Sequence, residues 1–508
     1  MNSVLGRLRD RGVTIWMEAG VVRYRAPRGV LTGGDIEWLR QQKDELSVLL
    51  QNEANECGVS SETSTWLQNG RIPLLFSQKA HWNRYDLSTR RAIRQIASAV
   101  RVVGPLDRSI LQLSVEETVR RHEAFRIRIV VMEGEPFQEI GDIQNIEVSY
   151  LDLSSEDKCT RESKLLQVLE SYILQPIDVR VDPLFGFLLV KMGEDEHALV
   201  VVMEHLIADA VSMSIVLSEV FTAYAQLVDG GTLLLPAVSA QFSDFVTWVR
   251  DTVGRRRDKY GSYWQETLLK CPRHRFPEDD AGSDPARIGW GSIQTSLGKE
   301  LTHSLKEWCR RNRTTAVIAV LCAYAALLLR WCNTAETLIQ YQSDGRSSPK
   351  FSNTVGYLAS VLYLRVSLER SENFSSLKNK LMESYYLAQE RADFSYLQSQ
   401  VPTSELICNS SFNWISQGPT TVPDIRILGG NFECSSIRFS HPMLRTLVLD
   451  SEPSILIFDL DDDIAVDVRF PLSRFSAESM KHFVRNFRLF VESLVCRPEQ
   501  QISAISLI

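Results

Sequence analysis

The sequence has few cysteines for its length and no excess of positive charge. Its 508 residues include nine cysteines, scattered singly, with no CxxC pair and no histidines at zinc-finger spacing. This distribution excludes a dense disulfide framework and a recognisable zinc finger, and it indicates reduced thiols in the cytoplasm. The net charge of −7 excludes a general nucleic-acid-binding surface.

No apolar run is long enough to cross a membrane. The longest, "AVIAVLCAYAALLL" at 316–329, has 14 residues, whereas a membrane-spanning helix needs roughly 20. We therefore expect a buried helix there and no membrane partner. Basic and apolar residues alternate at the N-terminus without a hydrophobic segment, so no signal peptide is expected. The absence of GxSxG gives no indication of a catalytic serine.

Strands and helices alternate from about residue 70 onward. The length predicts two to four domains, and the alternation predicts an α/β protein in two lobes. Helical spacing predicts a helix over "SMSIVLSEVFTAYAQLV" and one running into a strand over "LDRSILQLSVEETVRRHEAFRIRIVVM". Strands are predicted at "HALVVVMEH", "ETLIQYQ", "SVLYLRVSL" and "SILIFDLDDDIAVDVRF".

The first 55 residues are predicted to be a separate unit. Strand-like runs at Val13–Glu18 and Val21–Ala26 flank Ala19-Gly20, which predicts a hairpin. A helix follows, with Thr32 or Asp35 as its N-cap. The polar stretch after it is interpreted as a linker, which we place at 56–70.

This N-terminal unit is basic, although the whole chain is acidic. Residues 1–30 have a net charge of +4. A basic hairpin on an acidic protein favours docking of an acidic peptide, and the alternative is a solvated N-terminal cap. The docking candidates are Arg11, Arg23, Arg25 and Arg28.

Polar residues interrupt the hydrophobic stretch "VVVMEHLIADAVSMS" at 200–214. His205 follows a predicted strand and has a side chain that can take up a proton near neutral pH. Asp209 can cap the following helix or pair with an arginine in the interior. Two alternatives are a core histidine without a catalytic role and a metal site formed with Glu204, although no further ligands occur at recognisable spacing.

Five segments together resemble the motifs of nonribosomal peptide synthetase condensation domains, in the family's order. "EHLIADA" at 204–210 is similar to HHxxxDG. The other four are "LLFSQKAHW" (74–82, matching at Ser77, Gln78 and Trp82), "RRHEAFRIRI" (120–129), "FSDFVTW" (242–248) and "QYQSDGRSSPKFSNTVGYLASVLYLRV" (340–366, matching at Gly345, Arg346, Gly356 and Arg365). The sixth motif, near 391–400, is poorly matched. The first 55 residues resemble the β-hairpin docking domains of such synthetases.

The resemblance implies an architecture of two chloramphenicol-acetyltransferase-like lobes in a V-shape, with an active-site tunnel between them. We expect the docking domain at 1–55, the first lobe at 71–248 and the second lobe at 249–508. The small N-terminal docking domain is expected to be α+β.

The implied activity is that of an acyltransferase. A carrier-bound donor acyl thioester is joined to an amine or hydroxyl acceptor, giving an amide or an ester, without a covalent acyl-enzyme. The chain itself holds no cofactor or metal, and the substrates arrive on the 4'-phosphopantetheine of carrier proteins. The implied partners are an upstream acyl or peptidyl carrier protein, the acidic C-terminal tail of its subunit, and a downstream carrier or soluble acceptor. The chain is expected to be a free-standing protein or an excised fragment.

The resemblance also assigns roles to residues. His205 matches the histidine assigned to catalysis, as base or as the group that orients the nucleophile, and Asp209 matches a structural aspartate for which Arg346 is the candidate partner. Glu204 replaces the first histidine of the motif, and its carboxylate is expected to raise the pKa of His205 if it is close and ionised. Ala210 replaces the final glycine of the motif, and its methyl group is expected to narrow the active-site tunnel on the side where the acceptor enters.

Two alternative functions remain open at the level of sequence. One is a catalytically degenerate condensation-like module that recruits a carrier or an enzyme. The other is a heterocyclisation domain, because Glu204, Asp209 and Ser212 echo the spacing of DxxxxDxxS. Against the second alternative, His205 is retained and the other motifs of those domains are not found.

Overall fold

A computed structural model describes most of the chain. The described residues are 14–18, 21–25, 31–43, 46, 71–87, 95–142, 146–180, 182–269, 271, 276–277, 289–392, 410–416, 433–436, 452–460 and 462–507. The predicted linker at 56–70, the poorly matched motif beyond residue 392, and the docking candidates Arg11 and Arg28 lie outside them.

The elements are numbered here along the chain. The strands are β1 (Thr14–Glu18), β2 (Val21–Arg25), β3 (Arg71–Pro73), β4 (Gln95–Val103), β5 (Ile127–Met132), β6 (Glu135–Ile140), β7 (Val148–Asp152), β8 (Phe185–Lys191), β9 (Glu196–Glu204), β10 (Trp290–Ser296), β11 (Glu336–Ser343), β12 (Ser360–Ser367), β13 (Ser410–Ser416), β14 (Glu433–Ser436), β15 (Ser454–Asp459) and β16 (Ile464–Pro471). The α-helices are α1 (Gly33–Gln41), α2 (Phe76–Leu87), α3 (Arg108–Arg121), α4 (Lys158–Ile173), α5 (Ala210–Val228), α6 (Phe242–Leu269), α7 (Lys299–Arg311), α8 (Ala316–Trp331), α9 (Phe374–Gln389) and α10 (Ala477–Cys496). The chain is therefore a mixed α/β protein, as predicted.

The N-terminal unit contains the predicted hairpin and helix. Strands β1 and β2 pair antiparallel, in a register that sets Thr14 opposite Arg25. Thr32 is the N-cap of α1, because its hydroxyl accepts the backbone N–H of Asp35 at 3.2 Å. The Asp35 carboxylate accepts the Thr32 N–H at 2.8 Å in return, which completes a capping box.

The first lobe is built on a five-stranded sheet in the order β14-β4-β9-β8-β7. Strand β9 is buried on both faces, which explains its unbroken apolar run. Leu199, Val201 and Met203 pack into the core that also holds α3 and α5, whereas Val200 and Val202 pack into a second core with α4. A three-stranded sheet in the order β3-β6-β5 lies beside this lobe.

The second lobe is built on a six-stranded sheet in the order β10-β16-β15-β13-β11-β12. Its core is centred on α8, the predicted buried helix, whose residues 318–328 have essentially no exposed surface. The prediction of one strand over "SILIFDLDDDIAVDVRF" is wrong. Two antiparallel strands, β15 and β16, occupy this stretch, and the chain turns between them where the Leu460 N–H donates to the Asp463 carbonyl.

Within the described ranges, three segments cross between the two lobes. Helix α6 runs through the predicted boundary at 248/249, with its start in the first core and its end in the second. Residues 351–358 return to the first core, and β14 pairs with β4. The lobes are thus joined by shared structure, and the site described below lies where residues 354–359 meet the first lobe.

Helix α5 is the one helix among the described residues that is long and apolar enough by itself to cross a bilayer; α7 and α8 pass the same test only as a sharply bent pair. It packs against α3, and most of its apolar side chains are buried in the first core. Its composition is therefore that of a central core helix.

Candidate active site

His205 lies in the tight turn that joins β9 to α5. The strand ends at Glu204, and the Ile207 N–H donates to the Glu204 carbonyl at 3.0 Å to close the turn. Helix α5 then begins at Ala210. The buried strand and the buried helix hold both ends of a five-residue connection, which fixes the histidine at the edge of the first lobe.

A single hydrogen bond sets the tautomer of the His205 ring. Its Nδ1 lies 2.8 Å from the carbonyl oxygen of Ala208. A carbonyl only accepts, so Nδ1 carries the hydrogen and the neutral ring keeps a bare Nε2. The side chain is only partly buried. His205 therefore presents a proton acceptor that its own loop has oriented.

The pKa of His205 is lowered and not raised. Burial lowers the pKa of His205 below its ordinary value and outweighs the Ala208 carbonyl and Asp209, which raise it. Glu204 is adjacent in sequence and buried, and the causes that set the direction of the shift are burial, the Ala208 carbonyl and Asp209. At neutral pH the ring is therefore uncharged and its Nε2 is available.

Glu204→Gln should leave the pKa of His205 nearly unchanged. The shape of the side chain is kept, and the removed charge is not among the causes that set the pKa. We expect a change of less than about half a pH unit, equivalent to under ~1 kcal/mol of interaction. An NMR titration of ¹⁵N-labelled histidine rings measures it, and a larger fall in the variant would show that Glu204 acts on the ring after all.

Asp209 fulfils both of the roles that its sequence position left open. It is the N-cap of α5, with its Oδ1 accepting the Ser212 N–H and Ser212 hydroxyl, both at 2.8 Å. Its carboxylate also forms a bidentate ion pair with the Arg346 guanidinium. The two N–O distances are 2.9 Å to Oδ2 and 3.1 Å to Oδ1. The N–H groups of Leu358 and Ala359 donate to Oδ2 at 3.1 Å. One buried carboxylate thus ties α5 to the 354–359 segment.

The charge of Asp209 is stabilised by these donors. Burial raises the pKa of Asp209, but Arg346 and the Ser212 donors outweigh burial and hold the pKa below its ordinary value. Because all its lone pairs face hydrogen-bond donors, Asp209 is not arranged as a metal ligand. Within the described ranges, no group of three or more His, Cys, Asp or Glu side chains converges to hold a metal ion.

Arg346, the partner expected from the sequence, is held by its own loop. Its guanidinium donates to the carbonyls of Asp344 and Thr354, at 2.9 and 3.0 Å, as well as to Asp209. Gly345 before it has φ +67°, and a Cβ there would lie 1.7 Å from the Leu358 carbonyl oxygen. Only glycine lets the arginine loop approach the segment that Asp209 binds.

Ser212, which suggested a heterocyclisation motif, has a structural role here. Its hydroxyl lies 2.8 Å from the Gly356 carbonyl and accepts the Gly356 N–H at 3.1 Å. A Cβ on Gly356 would overlap the ring of Phe242, at 2.2 Å. The matched motifs at 242–248 and 340–366 therefore meet at this point and pack the 354–359 segment against α5.

Two residues near His205 were not predicted from the sequence. The rings of His81 on α2 and Tyr357 lie 5.0 and 4.9 Å from the His205 ring, centroid to centroid. Nε2 of His81 and the Tyr357 hydroxyl are hydrogen-bonded at 2.9 Å. His81 adjoins Trp82 of the first motif and Tyr357 follows Gly356 of the fifth, so their presence in those motifs was the available signal.

The remaining candidates lie at the edge of this cluster or away from it. Ala210 is the first residue of α5 and is exposed. Arg23 and Arg25 are on β2, in register with Trp16 and Thr14. The structure thus brings together His205, Asp209 and Arg346, and places Arg23 and Arg25 on a two-stranded sheet of their own.

Comparison with known families covers nearly the whole chain. The model of the condensation domain matches residues 68–508. The model of the TubC N-terminal docking domain matches residues 2–52.

Individual proteins agree with these matches. Bacitracin synthase 2 of Bacillus licheniformis is 22% identical over 515 residues, which cover 98% of this chain and 18% of that protein. The first condensation domain of the calcium-dependent antibiotic synthetase superposes with a TM-score of 0.71 and 18% identity, covering 86% of this chain and 99% of that one. The X-domain from teicoplanin biosynthesis superposes with a TM-score of 0.73 and 18% identity, covering 89% and 100%. The chain spans a small part of the synthetase that it matches.

Proposed function

This chain belongs to the condensation domain family and carries a TubC-type docking domain before it, and we propose that it joins a carrier-bound acyl donor to an amine or hydroxyl acceptor. The observation that supports this most strongly is the orientation of His205, whose Nε2 is left bare by the Nδ1 bond to Ala208. The donor is a thioester on the 4'-phosphopantetheine of an upstream acyl or peptidyl carrier protein. The acceptor arrives on a downstream carrier or in solution.

His205 is proposed to act on the nucleophile. Its Nε2 accepts a hydrogen from the acceptor amine or hydroxyl as that group attacks the thioester carbon. The lowered pKa keeps the ring neutral at the pH of the cytoplasm, where we place the protein. Holding the two tethered substrates in line contributes through proximity, which needs no further side chain.

Asp209 and Arg346 are proposed to hold the site in shape without touching substrate. Their contact joins the start of α5 to the 354–359 segment, and these two elements flank the His205 turn. The exposed methyl of Ala210 stands beside this turn at the start of α5, on the side that we assign to the acceptor.

A turnover assay with loaded carriers tests the proposal. The full chain is mixed with an acyl-loaded upstream carrier protein and a panel of amines, alcohols and aminoacyl carriers, and products are identified by intact-mass spectrometry. We expect a new amide or ester and release of the free carrier thiol. Carrier binding with no product in any combination would instead support a recruiting module, and a thiazoline from a cysteinyl acceptor would support heterocyclisation.

The basic hairpin is proposed to bind the acidic C-terminal tail of the upstream subunit. Arg23→Glu together with Arg25→Glu should weaken binding of that tail by about 10-fold or more, since two favourable charge contacts become repulsive. Isothermal titration calorimetry with the tail peptide measures it, and affinity should also fall as salt is raised. Arg40→Glu on α1, an exposed arginine of the same unit, is the control, and an equal loss there would indicate nonspecific charge attraction.

A further inference from the structure

A fully buried pair of glutamines lies beside the His205 turn. Gln78 on α2 and Gln138 on β6 have no exposed surface. The side-chain amide of each donates to the amide oxygen of the other, at 3.0 and 3.2 Å. Burying two amides costs free energy unless their polar groups find partners. The pair therefore indicates a structural task that apolar side chains could not perform.

Two backbone groups fix the orientation of the Gln78 amide. Its Oε1 accepts the Leu75 N–H at 2.9 Å, and its Nε2 donates to the Leu206 carbonyl at 2.7 Å. Because an N–H group only donates and a carbonyl only accepts, the amide oxygen and nitrogen cannot be exchanged. Gln78 is therefore a directed link from the start of α2 to the residue that follows His205.

The peptide unit between Leu206 and Ile207 is held at both of its ends. Its carbonyl accepts from Gln78, and its N–H donates to the carbonyl at the end of β9 at 3.0 Å. The side chains of Leu206 and Ile207 are buried in the first core, but apolar packing is not directional and does not orient a peptide plane. The two hydrogen bonds set this plane, which lies between His205 and the Ala208 carbonyl that binds its ring.

Gln138 restrains the side chain of Gln78. Besides its two contacts with Gln78, its amide donates to the Pro73 carbonyl of β3 at 3.4 Å. A side chain that is already fixed by other contacts positions its partner more precisely than a free one, because little rotamer freedom remains to be lost. The link from α2 to the His205 turn is thus rigid before any substrate arrives.

We propose that Gln78 is a positioning residue for acyl transfer and that it acts through the orientation of His205. The inference rests on the proposed function, in which the bare Nε2 of His205 accepts the proton. Without the Gln78 amide, the buried Leu206 carbonyl loses its donor, and its peptide is free to rotate toward another. Such a rotation moves the Ala208 carbonyl away from Nδ1, and the ring loses the contact that keeps its hydrogen there.

Gln78→Met tests the inference, because it keeps the length of the side chain and removes the amide. In assays with loaded carriers, kcat should fall about 10- to 100-fold, as expected when a reacting group is misplaced by about 1 Å. KM for the loaded carrier should be nearly unchanged. NMR of ¹⁵N-labelled histidine rings is the second readout. The native His205 ring should be the Nδ1–H tautomer, and the variant should show a mixture of both tautomers.

Gln112→Met is the matched control. Gln112 on α3 also links two elements through its amide, which donates to the Ile146 carbonyl and accepts the Val148 N–H at 2.9 Å. Its replacement should also lower the melting temperature, whereas kcat and the tautomer of His205 should stay native. The comparison therefore separates a loss of stability from a loss of orientation at the active site.

Gln78→Glu provides a second test that keeps the shape of the side chain. An ionised carboxylate still accepts the Leu75 N–H but has no hydrogen for the Leu206 carbonyl, whereas a protonated carboxyl donates one. The ratio of its kcat to that of the native chain should rise several-fold between about pH 8 and about pH 6.5, where a buried carboxyl takes up a proton.

The outcomes distinguish the inference from the proposed function. A Gln78→Met chain with native kcat and the native tautomer would overturn the inference alone, as would equal losses of kcat in Gln78→Met and Gln112→Met. If the methionine variant does not fold, a constant ratio for Gln78→Glu over that pH range would overturn it. A native chain that binds carriers but yields no product would overturn the proposed function and the inference with it.

Discussion

Replacing His205 with asparagine is expected to abolish acyl transfer while leaving the fold intact. The asparagine amide N–H occupies the position of Nδ1–H and can still donate to the Ala208 carbonyl, but nothing replaces the Nε2 lone pair. Loss of a positioned general base typically lowers kcat by about 10²–10⁴-fold. The single-turnover rate with loaded carriers measures this loss. His205→Ala should be at most a small factor slower than His205→Asn.

The asparagine variant separates proton transfer from loop structure. Its melting temperature and its affinity for the acyl-loaded carrier should match those of the native chain, because the bond that holds the turn is kept. His303→Ala, which removes an exposed histidine on α7, is the control and should be fully active. If His205→Asn kept more than about a tenth of the native kcat, His205 would be an orienting group and not a base.

The pH dependence of the native rate follows from the same geometry. The neutral ring is the active form, so activity is lost as pH falls through the pKa of His205. Burial holds that pKa below the ordinary value of 6.5, so the rate should persist at pH values somewhat below 6.5 before it declines. An acid limb at or above 6.5, measured with a hydroxyl acceptor that does not itself titrate there, would contradict the burial of the ring.

The local pattern of the sequence was sufficient to predict the elements around the site. Strand β9 was evident from its apolar run, and α5 from its spacing and its cap at Asp209. Both follow from short-range periodicity and capping chemistry. Arg346 was identified through the family motif, since nothing local indicates that a residue 137 positions away along the chain completes the Asp209 cluster.

The residues that surround His205 could not be predicted from local sequence patterns in the same way. His81 and Tyr357 are separated by 276 positions, and neither breaks a local rule that would draw attention to it. The direction of the His205 pKa could not be predicted from its neighbour Glu204 either, because burial in the folded chain decides it. Glu204 is the last residue of β9 and His205 lies in the turn after it, so the contacts of His205 are set by the turn and not by its neighbour in sequence.

Removing the Asp209 carboxylate is expected to destabilise the whole domain. The side chains of Asp209 and Arg346 are only 3% and 5% exposed. Asp209→Ala leaves the buried Arg346 charge without its carboxylate partner, and the N–H groups of Leu358 and Ala359 lose the oxygen that accepts them. Breaking such a pair typically costs about 3–5 kcal/mol, and we expect the free energy of unfolding in urea to fall by that amount. Acyl transfer should be lost as well, because the 354–359 segment is no longer held beside the His205 turn.

A double-mutant cycle tests whether the two residues act as a unit. Arg346→Met should cost less than Asp209→Ala, since four donors to the carboxylate remain, from Ser212, Leu358 and Ala359. The double variant should be more stable than Asp209→Ala alone, because it no longer holds an unpaired buried charge. Lys299 and Asp462 are the control, an exposed ion pair at 3.2 Å with side chains 78% and 75% exposed. The coupling free energy from their double-mutant cycle should be under about 1 kcal/mol. If the losses in free energy of unfolding of the two single variants simply sum to that of the double variant, the coupling is refuted.

The negative charge of Asp209 stabilises the fold only within a defined range of pH. Arg346 and the Ser212 donors hold the pKa of Asp209 below its ordinary value of 3.8, against the opposing effect of burial. An aspartate with a lowered folded pKa contributes stability above its unfolded pKa and loses it as pH falls through the folded value. The stability difference between the native chain and Asp209→Asn should therefore be constant near neutral pH and shrink below about pH 4. A difference that stayed constant into strong acid would mean that the side chain stabilises the domain by shape and hydrogen bonding alone, and that the buried charge contributes nothing to holding the two lobes together.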